Sequence, residues 1–228
     1  MGQFDRFKAA NAFRRLIESW HVSDFHISAA RGRKEITGES EHLSESGDNL
    51  PRVAQYLYEQ HPSVFHKILQ VMASRVPGVS EIQPLVTEDG YLTLRFKDGA
   101  FITPFLDRYV SDGTIKMFAY LALLYDPNPH PLLCVEEPEN QLYPNLMAEL
   151  AEEFRLYARR GGQVLVSTHS PDFLNACSLS EVVWLVKEGG YTTVKKASED
   201  PQVAAYMSDG DLMGALWKQG LFAGADPH

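Results

Sequence analysis

Apolar residues at Phe4, Phe7, Phe13, Leu16, Ile17 and Trp20 recur at helical spacing with charges between them, which predicts an amphipathic helix over 4–20 laid on a sheet. Residues 22–28 predict a strand, and the polar stretch 29–49, rich in Gly, Ser, Glu and Arg, predicts a loop long enough to suspect of function. From Pro51 to Val76 the positions Val53, Tyr56, Leu57, Val64, Phe65, Ile68, Leu69 and Met72 again follow a helical period, and Pro62 divides them into two packed helices. Runs at 79–86 and 91–96 flank Thr87-Glu-Asp-Gly90, a hairpin signal because Asp-Gly tolerates the positive φ of a tight turn. Residues 101–104 predict a short third strand.

The second half alternates differently. Ile115, Phe118, Ala119, Leu121, Ala122 and Leu123 predict a helix whose start carries Ser111-Asp-Gly-Thr114. An apolar strand from Pro131 ends in Glu136 and Glu137, a helix runs from Pro144 to Gly161-Gly162, and a second apolar strand from Gln163 ends at His169. A short helix follows, capped by Ser170-Pro171, then an edge hairpin at 182–186 and 191–194 and a terminal helix at 211–218. Strand and helix in alternation predict an α/β fold with a mostly parallel sheet and crossover helices, and the helical pair and hairpin form an insertion ahead of the Ser111 helix. The predicted organisation is a subregion at 29–105, a lobe at 106–197 and a helical tail at 198–228. No internal repeat or low-complexity tract interrupts it.

Composition narrows the classes. A chain of 228 residues that is 44% apolar, with 12 Phe, 10 Tyr and 3 Trp, supplies a substantial core. Charged residues break every apolar window short of a membrane span, Met1-Gly-Gln-Phe-Asp-Arg6 lacks a signal peptide's apolar stretch, and a cytoplasmic protein is expected. Cys134 and Cys177 fit neither a disulfide framework nor a metal-ligand spacing. A net charge of −9 argues against coating nucleic acid through the overall field, and leaves Arg31-Gly-Arg33-Lys34 as a local basic patch or a solvated loop.

The chemistry sits at two strand ends. Carboxylates at the C-terminal end of a buried strand lie where open α/β sheets bind ligands, and strand alternation predicts that Glu136 and Glu137 face opposite ways, one toward a Mg²⁺ shell and one toward an attacking water. His169 follows the next strand and is placed to contact a phosphate. Ser111, Gly113 and the amides after them form an anion-binding helix start. Each motif has a plain alternative: an acidic turn before Pro138, a satisfied polar histidine, an ordinary helix cap. The chain contains no G-x-x-x-x-G-K-[ST] string, the backbone cradle for nucleotide phosphates.

In order and on these elements, the strings resemble the C-terminal lobe of ABC-type ATPase heads related to recombination-repair and SMC ATPases, in the group described as AAA-family ATPases. Tyr109-Val-Ser-Asp-Gly-Thr-Ile115 stands for the signature and Leu132-Leu-Cys-Val-Glu-Glu-Pro-Glu139 for Walker B. Asn140-Gln-Leu-Tyr-Pro144 stands for the D-loop and Ser167-Thr-His-Ser-Pro-Asp172 for the switch histidine. The resemblance implies ATP and Mg²⁺ as cofactors, Glu136 in the magnesium shell, Glu137 as catalytic glutamate and His169 beside the γ-phosphate. It also implies that Ser111, Asp112, Gly113 and Thr114 complete a partner's nucleotide site, with Asn140 and Leu142 in the loop crossing that interface. Glu136 departs from the usual aspartate, and Tyr143 stands where His is frequent. The first strand, Walker A lysine and Q-loop have no counterpart before Phe4.

Three functions follow as expectations. One is an ATP-hydrolysing lobe linked to DNA repair or phage defence that takes Walker A from another segment or polypeptide. It would work as a homodimer or a heterodimer with a full-length ATPase, with nucleic acid reached through the assembly and no membrane. The second is a non-enzymatic lobe that docks on a full-length homologue, and the third a truncated-gene remnant. A nuclease using Glu136, Glu137 and Asp172 ranks below these, because no second acid cluster accompanies them.

Overall fold

The computed structural model describes residues 8–31, 34–35 and 40–225, with the side chains of 34 and 35 outside that description. The positions Phe4, Phe7 and Arg33 singled out above lie outside the described residues. Helix α1 (Lys8–Glu18) leads into strand β1 (His21–Ser23), helix α2 (Ile27–Ala30) and strand β2 (Lys34–Glu35). Helices α3 (Leu50–Gln60) and α4 (Pro62–Arg75) precede strands β3 (Val79–Val86), β4 (Tyr91–Asp98) and β5 (Phe105–Leu106). The chain continues through helix α5 (Asp112–Leu124), strand β6 (Leu132–Glu136), helix α6 (Asn145–Arg159), strand β7 (Gln163–Ser167) and helix α7 (Pro171–Asn175). Strands β8 (Val183–Glu188) and β9 (Tyr191–Lys196) and helices α8 (Pro201–Ser208) and α9 (Met213–Lys218) complete it.

Strand β6 is central in a parallel sheet ordered β1-β6-β7, with Ser23 opposite Val135 and Glu136 opposite Ser167. All three strands therefore deliver their last residues to one edge, where open α/β sheets carry their chemistry. Helix α5 is buried from Gly113 to Leu124, which explains why its sequence is apolar on all sides. Lys116 is the exception within that run. Strands β2, β4 and β3, with β5 paired to β4, form a separate antiparallel sheet covered by α3 and α4. Phe65 and Phe96 both meet Phe118 edge to face, so this sheet and its helices share one core with α5.

Several elements depart from the sequence expectations. The strand expected over 22–28 ends at Ser23, because the amides of Asp24 and His26 donate to the carbonyls of Glu45 and Ser46 instead of continuing the ladder. Phe25 and Ile27 are then free to enter the core, the latter on α2. The segment expected as a loop is anchored by buried Leu43 and by Asn49, which donates to the His42 carbonyl at 2.9 Å and accepts from the Ser44 amide at 2.8 Å. The third strand falls at 105–106 rather than 101–104, one residue beyond Pro104, where amides able to pair with β4 resume. The C-terminal tail holds two helices. The added one, α8, starts at Asp200-Pro201, with the Asp200 carboxylate accepting from the amides of Gln202 and Val203.

The β8-β9 hairpin turns on Gly189 and Gly190, both at positive φ, as a two-residue turn requires. With α9 it encloses a second core of Val182, Trp184, Val186, Val203, Leu216 and Phe222. This core is fastened to α7: a Cβ on Gly214 would stand 2.0 Å from the Pro171 carbonyl oxygen, and the Gly214 amide donates to Asn175. The C-terminal segment thus braces the helix that follows His169.

Arg155 on α6 holds Glu181 through two nitrogens, at 2.7 and 2.8 Å, and the Ser178 amide adds a third donor. The Arg155 guanidinium, more than any other neighbour, draws the Glu181 carboxyl down to about 2. A depressed carboxyl stabilises the fold above its unfolded value and loses that contribution as the pH falls through its folded value. Glu181→Gln is expected to cost about 1 kcal/mol near neutral pH, discounted for the pair's partial exposure. In pH-dependent chemical denaturation the gap between the two proteins should close between about 4.5 and 2.

Candidate functional site

Strand β6 ends at Glu136, and the chain turns sharply at once. Glu137 has φ 38° and Gln141 φ 64°, two left-handed non-glycine residues in one short loop. Such conformations cost on the order of 1 kcal/mol or more and gather where a site imposes a particular backbone. The turn also overrides the expectation that Glu136 and Glu137 face opposite ways by strand alternation, since Glu137 lies beyond the strand. Its amide donates to the Ser167 carbonyl at 3.0 Å, closing the gap to β7.

This turn brings three residues of separate strings together. Asn140 donates through Nδ2 to Glu137 Oε2 at 2.8 Å, and His169 Nε2 lies 3.9 Å from Glu137 Oε1. Glu136 is exposed beside them at the end of β6. Glu139, to which the sequence reading assigned no role, holds the arrangement in place. Its Oε1 accepts from Thr168 Oγ1 at 2.7 Å and from the His169 amide at 3.0 Å, clamping the histidine turn to the glutamate loop. The other oxygen, Oε2, is buried without a hydrogen-bond partner, as are Ser23 Oγ and Tyr120 Oη. Burial above all, with Glu139 and Asp24 adding to it, raises the Tyr120 phenol.

The Ser111 helix abuts the same loop. Ser111 caps α5, its Oγ accepting from the Thr114 amide at 3.2 Å. Gly113 stands so close to the loop that an added Cβ would meet the Gln141 carbonyl oxygen at 3.1 Å. Lys116 is buried and donates to the Asn140 carbonyl at 2.8 Å. Burial lowers its pKa, while Glu139, Asp24 and Glu137 act in the opposite sense. Arg31 enters here as a structural tie. It donates to the carbonyls of Asp107 and Val110 at 2.8 and 2.6 Å and pairs with Asp112, fixing the turn into α5 and offsetting the one carboxylate at that helix start.

Ser111, Asp112, Glu136, Asn140 and His169 are therefore solvent-facing, and Glu137 is partly so. Leu142 turns inward and is buried in the main core, with Gly113 and Thr114 also covered. The signal for Glu139 and Lys116 was present only as a charge beside a motif and a charge within an apolar helix. An exposed carboxylate at the end of a sheet strand is a hard oxygen donor of the kind Mg²⁺ takes while keeping most of its waters, so Glu136 fits such an ion.

The fold is similar to that of SMC ATPase heads. A solved SMC ATPase chain, described in the context of ATP-driven dimerization and DNA-stimulated activation, superposes with a TM-score of 0.50 at 12% identity, over 68% of this chain and 95% of that one. The chain belongs to the family described as "AAA domain, putative AbiEii toxin, Type IV TA system", whose model matches residues 3–175. It is also similar to the Old nuclease of Escherichia phage P2, 21% identical over 226 residues. That match takes in 80% of this chain, which spans 39% of the length of the phage protein. Among the described residues no helix is long and apolar enough to cross a membrane.

Proposed function

We propose that the chain is the Walker B, signature and switch-histidine part of a cytoplasmic ATP-hydrolysing head, working in a dimer of heads linked to DNA repair or phage defence. The observation that carries this reading is the meeting of Glu137, Asn140 and His169 beyond the ends of β6 and β7. Membership of the AAA family and the SMC-type fold support it. The phosphate cradle comes from another segment or another polypeptide, because the sequence contains no G-x-x-x-x-G-K-[ST] string.

In this reading Glu136 would hold the magnesium ion through its water shell, and the ion would supply charge neutralisation at the phosphates. Asn140 fixes one oxygen of Glu137, leaving Oε1 to orient the attacking water and accept its proton. His169, exposed beside Glu137 Oε1, would donate to the γ-phosphate. Ser111 and the α5 amides contribute hydrogen bonds to nucleotide held by the facing head, with Asp112 already neutralised by Arg31.

The test is ATP-dependent complex formation with a family member that carries the phosphate-binding loop, followed by size-exclusion chromatography. A complex that forms with ATP and is lost on Ser111→Arg is the expected outcome. Association indifferent to both ATP and Ser111→Arg would leave the chain as a docking lobe without nucleotide chemistry.

A further inference from the structure

The opposite edge of the parallel sheet carries a second cluster that the proposed ATP chemistry does not use. His21 opens β1, while Asp126 and His130 lie on the connection between α5 and β6, at the end remote from Glu136. His42 joins them from the segment that precedes α3. One ligand-type atom from each of His42, Asp126 and His130 lies within 4.8 Å of the others.

Hydrogen bonding fixes the chemistry of these groups. His130 Nδ1 is 3.0 Å from the Ser19 carbonyl, which only accepts, so Nδ1 carries the proton and Nε2 of the neutral ring presents a lone pair. That Nε2 is buried and has no hydrogen-bond partner. Asp126 is buried, and its Oδ1 takes the Asn128 amide at 2.8 Å, which leaves Oδ2 to meet His42 Nδ1 at 2.7 Å. His21 stacks on the His130 ring at 4.8 Å between centroids, and its own Nε2 is a second buried atom without a partner. The backbones are held too: Tyr157 donates to the His130 carbonyl and Asn49 to that of His42.

A buried lone pair without a donor costs free energy that a cation would recover. An imidazole whose second nitrogen donates to a backbone carbonyl is the usual support of a metal-ligating histidine. We propose that His42, His130 and Asp126 form a binding site for a divalent transition-metal ion of the zinc class. Two imidazoles and one carboxylate favour such an ion over Mg²⁺ or Ca²⁺, which take oxygen donors. The ligand atoms, which lie within 4.8 Å of one another, would adjust to roughly 3.3 Å for tetrahedral spacing, a movement open to the exposed His42 side chain. Binding replaces the His42–Asp126 hydrogen bond, with the proton of the neutral His42 ring carried on the nitrogen that does not ligate, and joins the segment before α3 to the far end of the signature helix.

The site is tested on the chelator-treated chain by calorimetric titration with Zn²⁺ and by visible absorption with Co²⁺. One equivalent should bind, with the intense visible bands of a low-symmetry cobalt site. His42→Gln should weaken binding on the order of a hundredfold while leaving the circular dichroism of the metal-free protein unchanged. Asp126→Asn should weaken it as well, and Glu136→Gln with Glu137→Gln should leave it intact. No saturable binding by the unaltered chain, or affinity unchanged by His42→Gln, overturns the proposal, as does loss of binding in the double glutamate variant. None of these results depends on ATP hydrolysis.

Discussion

Glu137→Gln is expected to lower ATP turnover by the assembled heads about a hundred- to a thousandfold and to leave ATP-dependent association in place. Glutamine keeps the length and planarity of the side chain, and its carbonyl oxygen can still accept from Asn140 Nδ2. What it loses is the negative charge, and with it the ability to take a proton from water. Because Glu137 is partly exposed and its backbone conformation is imposed by the loop, the substitution has little reason to disturb the fold. Steady-state phosphate release in parallel with size-exclusion chromatography separates the two effects. Turnover within a factor of about two of the unaltered protein would remove Glu137 from the chemistry.

The second large effect is structural. Lys116→Met is expected to destabilise the chain by about 2 kcal/mol, because it deletes a charge-assisted hydrogen bond and leaves the Asn140 carbonyl without its donor. For a domain of this size that corresponds to a fall in Tm of roughly 4–8 °C. Methionine nearly matches the volume of the aliphatic stem, so the cost reports the ammonium rather than a cavity. The carboxylates of Glu139, Asp24 and Glu137 lose a neighbouring cation at the same time. Since Asn140 orients Glu137, turnover should fall together with stability. A rise in Tm would show that desolvating Lys116 outweighs its bonds, contrary to this account.

Much of the site was legible because its elements announce themselves locally. The Ser111 cap, the apolar strand ending at Glu136 and the strand leading to His169 are patterns of a few residues, and each stands on the element its pattern implies. Helix α5 was legible as a helix, and its uniform apolarity accounts for its central place. The clamp by Glu139 was not legible, because nothing local tells which of three nearby acids will meet the Thr168 hydroxyl. Arg31 was equally ambiguous, part of a basic patch or of a solvated loop, until its partners at Asp107, Val110 and Asp112 appeared.

Non-local pairing explains the remaining misreadings. Residues 24–28 have strand-like composition, yet bonds to Glu45 and Ser46 draw the backbone off the sheet, an outcome that depends on residues about twenty positions away. Helix α8 is short and weakly periodic, so its best signal was the Asp200-Pro201 start rather than its apolar face. The histidine cluster had no sequence signature at all. Its members are scattered from His21 to His130, and only the α5–β6 connection and the anchored segment at 40–49 bring them to one place.

We read Glu137, Asn140 and His169 as the hydrolytic half of a shared ATP site. The most direct test of that role is single-turnover phosphate release from radiolabelled ATP, with the chain combined with a family member that supplies the phosphate-binding loop but carries its own Glu137 equivalent as Gln. Release is expected when the unaltered chain is present, and loss of that release when the chain carries Glu137→Gln. Equal release from the two mixtures would contradict that role.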